Sequence, residues 1–144
     1  MENARPGLRD LPVPLTPRIL LGFSSFILAL SAFAHGAAFR RAVSVIDAGN
    51  VPPMFGNSFK VLWLADSTTC FLLAVVFAAV AARPSAAAGR AVTLVALVPG
   101  ATGVLIYVFL GGFYAGHLLL AAAAAAFFGG LRLTAGGLVA SPVA

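Results

Sequence analysis

One carboxylate, Asp66, stands inside the long apolar runs of this 144-residue chain, and it is the residue most in need of a partner. A charged side chain at the middle of a spanning helix costs about 3 kcal/mol on insertion scales, so such residues pair with others or line a polar cavity. The side chains available to it are His35, Tyr107 and His117, with Lys60, Trp63, Tyr114 and Arg41 near the ends of the apolar runs. A carboxylate facing an imidazole can exchange a proton, and a neighbouring Lys60 or Arg41 would hold the anionic form. His35, Asp66, Tyr107 and His117 are therefore the expected site for a small ligand or a proton. Lys60, Trp63, Tyr114 and Arg41 form the expected gate or lip.

Two other chemistries suit the same residues. His35 and His117 on different helices would serve as axial ligands of a haem, or join Asp66 in a two-histidine, one-carboxylate metal site. No His-x-x-x-His, Glu-x-x-His or cysteine pair accompanies them. In the third reading Asp66 accepts hydrogen bonds from Ser67, Thr69 or a tyrosine, and the histidines sit at the headgroups. The chain is then an accessory or scaffold subunit of a membrane complex, without chemistry of its own.

Helical spacing is what would bring these residues together. Ser24, Leu28, Ser31 and His35 follow i, i+4, i+7, i+11, and Trp63, Asp66, Ser67 and Cys70 share a second stripe. Thr93, Gly100, Gly103 and Tyr107 lie roughly along one face of a third helix, which Pro99 should bend by removing one hydrogen bond. Tyr114, His117, Ala121 and Ala124 mark a fourth. Counting 1.5 Å per residue from a common mouth, His35 lies about 7 Å deep, Asp66 about 9 Å, Tyr107 about 5 Å and His117 about 9 Å. The expectation is one polar cluster fed by four helices.

The elements that must carry these stripes follow from composition. The chain is 61% hydrophobic and 9% charged, against about 25% charged in soluble domains. Residues 19–39, 61–82, 91–110 and 111–131 are each near the ~20 residues that cross a bilayer as helix. Their unbroken apolar character excludes the alternation of a barrel strand. The expected fold is an all-α, integral membrane four-helix bundle. The transmembrane domain spans 19–133, between a proline-rich polar tail at 1–18 and a C-terminal tail at 134–144. A long loop at 40–60, with turn formers Gly49-Asn50 and Gly56-Asn57, should cover one mouth, and Gly111-Gly112 should make a tight hairpin.

Nine basic against four acidic residues give a net charge of +5, but the basic residues are dispersed at the edges of the apolar runs, where they meet headgroups. Nucleic acid is excluded as a partner on that distribution. The expected partners are the lipid bilayer and either a second copy or another membrane subunit. Arg5, Arg9, Arg18, Arg83, Arg90 and Arg132 on one side outnumber Arg40, Arg41 and Lys60 on the other, which places both termini in the cytoplasm. An alternative start exists, since Ala32-Phe33-Ala34 reads as a signal-peptide cleavage site that would expose His35. No nucleotide-binding, serine-hydrolase or zinc-protease motif occurs, so soluble-enzyme chemistry has no support. In length and four-span plan the chain resembles the DoxX-like group of small bacterial inner-membrane proteins. That resemblance implies an architecture and a bacterial inner membrane location, and it assigns no site.

Overall fold

The structure, a computed structural model, describes residues 15–139, with side chains to residue 136. The described residues are helical nearly throughout, in six elements: α1 (Leu15–Ala37), α2 (Phe39–Ala48), α3 (Pro53–Ala82), α4 (Ala86–Val95), α5 (Leu97–Leu110) and α6 (Tyr114–Val139). Four helical stretches are long and apolar enough to cross a membrane: α1, α3, α4 with α5 as one, and α6. The chain has the form of a multi-pass membrane protein. Its exposed faces agree, because Phe23, Phe26, Leu30 and Phe33 on α1 and Val104, Val108 and Phe109 on α5 all point outward. Such faces are stable only against lipid or another apolar surface.

Several boundaries differ from the sequence expectation, each for a local reason. Residues 40–60 do not form a loop: α2 takes most of the first ten and α3 begins at Pro53. Phe39, Ala42, Val43 and Ile46 fall on one side of a helix and Arg40, Arg41, Ser44 and Asp47 on the other, a helical period that the turn formers obscured. What remains of the loop is the turn at Gly49–Pro52. There Asn50 takes a φ of 54°, a conformation asparagine tolerates better than most residues, and Pro53 enters α3 at its first turn. At 30 residues, α3 is about 45 Å long, longer than a ~30 Å hydrocarbon core, and α2 packs on it.

The polar tail is also shorter than composition suggested. α1 starts at Leu15 and keeps Pro17 in its first turn, where the missing N–H costs no hydrogen bond. Residues 1–14, with Arg5 and Arg9, lie outside the described residues, as do 140–144. α6 continues through 134–139 instead of ending at 133. The third span starts at Ala86 behind an N-cap, with the Ser85 hydroxyl accepting from Ala88 N–H at 3.1 Å. It breaks at Ala96, between α4 and α5. Pro99 accounts for the break: it offers no N–H to the Val95 carbonyl and its ring crowds that turn. The α5–α6 hairpin closes at Gly111, where a φ of 67° requires glycine.

Packing among the spans is unequal. α1 packs on both α3 and α6, and α6 packs on α1, α4 and α5, while α3 meets α4 only where the chain connects them. α1 and α6 are thus the central pair, with α3 outside one and α4–α5 outside the other. The core follows this plan, with Leu21, Leu28, Ala74 and Phe77 between α1 and α3, and Val92, Ala122, Ala126 and Leu133 around α6. Two serines cross-link it: Ser24 donates to the Ala122 carbonyl at 2.8 Å and Ser25 to the Ala74 carbonyl at 2.7 Å. Bonds of this kind between membrane helices average about 0.6 kcal/mol each. α4 meets α6 at glycines, since a methyl at Gly130 would stand 2.7 Å from the Gly89 carbonyl oxygen.

Candidate functional site

The packing order divides the expected four-helix cluster into two pairs. His35 and Asp66 meet across α1 and α3, and Tyr107 and His117 meet across α5 and α6. α1 and α6 stand between α3 and α5, so Asp66 and Tyr107 belong to different interfaces. Both pairs lie towards the same end of the molecule, where α1 and α5 finish and α3 and α6 begin.

The α1–α3 pair is the more elaborate. His35, two residues from the end of α1, stacks flat on Trp63 with ring centroids 4.0 Å apart and an interplanar angle of 11°. The Trp63 indole N–H donates to the His35 backbone carbonyl at 2.8 Å. That carbonyl belongs to the last turn of α1, whose acceptors have no partner further along the helix. One aromatic residue therefore fixes the ring and caps the backbone of the same histidine. Asp66, one turn on from Trp63, places Oδ2 3.7 Å from His35 Nε2. This is ion-pair range but longer than a hydrogen bond. The two side chains are 33% and 39% exposed, so the pair can be reached from outside the bundle.

Asp66 has no other polar side-chain partner among the described residues. Ser67, expected as a donor to it, instead donates to the Trp63 carbonyl within α3 at 3.2 Å, and Thr69 is exposed. Cys70 is buried one turn below Asp66.

The expected lip residues disperse. Lys60 is held by Asp47 at 2.6 Å, an ion pair that ties the end of α2 to α3. Arg41 lines a groove of about 300 Å³ between α2 and α3, together with Ala38, Ala42, Val45, Ile46 and Trp63. Trp63 is shared by this groove and the histidine stack, and so becomes part of the site and not only its gate. Tyr114 packs on Phe113, with ring centroids 4.5 Å apart, at the exposed start of α6.

On the other interface the Tyr107 hydroxyl hydrogen-bonds the His117 ring at Nδ1. The rings meet edge to face at 5.1 Å. Gly116 permits the approach, since a methyl there would stand only 3.1 Å from the Tyr107 ring. His117 is exposed and Tyr107 half-buried. Each histidine thus has its own aromatic neighbour. Among the described residues no three His, Cys, Asp or Glu side chains group as a metal-ligand set, and His35, Asp66 and His117 do not converge.

His35 and Asp66 stand out in the sequence, whereas the Trp63 stack and the Asp47–Lys60 tie do not. The signal for the tie was α2 itself, because only a helix over 39–48 brings Asp47 back over α3. Comparison of the chain with models of protein families, with curated proteins and with solved structures finds no match. A functional reading therefore rests on the chemistry of the site.

Proposed function

We propose that this chain binds a proton or a small polar ligand at the His35–Asp66 pair, on the Trp63 platform, near one membrane face. The observation that carries this reading is a carboxylate in a spanning helix whose one polar side-chain partner among the described residues is a histidine 3.7 Å away, both side chains part-exposed. A carboxylate kept only for packing would be expected to saturate itself with hydroxyl donors, since unsatisfied polar groups at membrane depth are costly. Histidine is the side chain that changes charge between about pH 5 and 8, so its protonation converts the pair from a polar contact into an ion pair. From α3 the charged neighbour of His35 is Asp66. Lys60 is engaged by Asp47, Arg41 lies in the groove lined by Trp63, and His117 on α6 is engaged by Tyr107.

Trp63 is the sole tryptophan, which makes the site self-reporting because a protonated imidazole quenches an indole stacked on it. In nanodiscs, Trp63 emission should fall on acidification in the wild-type protein and stay constant in His35→Gln. Asp66→Asn keeps the shape and removes the charge, and it should alter the pH response. A wild-type emission that ignores pH, or an Asp66→Asn response identical to the wild type's, overturns the reading. The setting proposed for this site is the bacterial inner membrane with both termini cytoplasmic. Its support is the distribution of arginines and the resemblance in four-span plan.

A further inference from the structure

The groove between α2 and α3 has a composition that the proton-binding reading leaves unused. Its lining is apolar: Ala38, Ala42, Val45 and Ile46 come from α2 and the α1–α2 junction, Trp63 from α3, and Arg41 contributes its aliphatic stem. Arg40 and Arg41 are both exposed and have no acidic partner among the described residues. The acidic residue of α2, Asp47, is taken by Lys60, so the net unpaired charge on this helix is positive. Depth matters as well. The groove begins where α1 ends, at the end of the molecule that carries Arg40, Arg41 and Lys60, and basic residues flanking a span meet headgroups.

We infer that this groove holds one anionic phospholipid of the surrounding bilayer. Its phosphate sits between Arg40 and Arg41, and one acyl chain runs along the α2–α3 groove against Trp63. Arginine suits a phosphodiester because its planar fork donates two parallel hydrogen bonds to the oxygens. A zwitterionic lipid would bring a second cation towards two arginines. The occupant is therefore selected by charge at the head and by apolar fit along the chain. This inference does not rest on the proton site, although Trp63 borders both.

Trp63 provides the measurement. The full chain is placed in nanodiscs of phosphatidylcholine containing a minor fraction of phosphatidylglycerol, with brominated acyl chains on one lipid species or the other. Bromine quenches indole only on contact. Brominated phosphatidylglycerol should quench Trp63 as though enriched about thirtyfold over its mole fraction, from two basic contacts at the surface. The enrichment should disappear in the R40Q/R41Q variant, whose emission in unbrominated lipid reports that the fold is intact. Asp66→Asn should retain it, which separates failure of this inference from failure of the proton site. Equal quenching by the two lipids, or enrichment that survives R40Q/R41Q, overturns the inference. Quenching by neither lipid, as expected if a second copy of the chain fills the groove, overturns it too.

Discussion

Trp63 does two separate jobs for His35, and the two can be taken apart. Trp63→Phe preserves an aromatic face against the imidazole but removes the donor to the His35 carbonyl. Losing one partner of a half-buried hydrogen bond should cost about 1 kcal/mol. Unfolding in mixed micelles, followed by circular dichroism, reads that loss. Tyr107→Phe is the control at the same end of the molecule. It also removes one hydroxyl from an aromatic–histidine contact, but His117 is exposed and can be solvated in its place. Its effect should stay within about 0.5 kcal/mol, the range usual for surface changes. Equal losses in the two variants would mean that capping the end of α1 adds nothing to the stacking. The residues of this pair were legible in the sequence because charge is rare in these helices. Their pairing was not, because depth counting along each helix fixes height and says nothing about which helices are neighbours.

Element scale is where the sequence was most and least informative. Four spans and the Gly111 hairpin follow directly from apolar length and from glycine, and the break at Ala96 follows from Pro99. α2 was hidden because Gly49, Asn50, Pro52 and Pro53 dominate the reading of residues 40–60, although they lie beyond its end. Pro99→Ala tests the break. It restores an N–H for the Val95 carbonyl and should join α4 and α5 into one straight helix. Spin labels placed at Leu94 and Val108, both exposed, should then move apart in distance measurements. The α4–α6 crossing has a different vulnerability. Gly130→Val places a branched side chain against the Gly89 backbone, so the two helices must separate. Overpacking of this kind typically costs about 1–3 kcal/mol. Gly22→Ala on α1 meets nothing within 4 Å and should be neutral or slightly stabilising, since glycine is the poorer helix former. Equal stability of both glycine variants in mixed micelles would show that α4 and α6 do not depend on close backbone approach.

For the whole molecule, the placement of charge has a consequence for direction as well as for chemistry. The end that holds Arg18, Arg83, Arg90 and Arg132 is opposite the end that holds Arg40, Arg41 and Lys60. Basic residues close to span ends favour the cytoplasm, and acidic neighbours contribute little to that preference. The four-to-three balance among these seven is narrow, and Arg5 and Arg9 extend it to six against three. The Arg40-Arg41 pair works against translocation of its own end. On the proposed orientation the His35–Asp66 site and the α2 groove belong to the outward face. In a Cys70→Ala background, Asn50→Cys should react with a membrane-impermeant maleimide on intact cells, while Ser85→Cys should react only after the membrane is opened. The reverse pattern would put α2 in the cytoplasm, where the two sites would face the interior and the proton reading would have to draw on cytoplasmic pH. Reaction of both cysteines in intact cells would instead mean that the chain inserts in both orientations. That mixed pattern is the outcome expected of an Arg5→Gln/Arg9→Gln variant, in which the balance falls back to four against three.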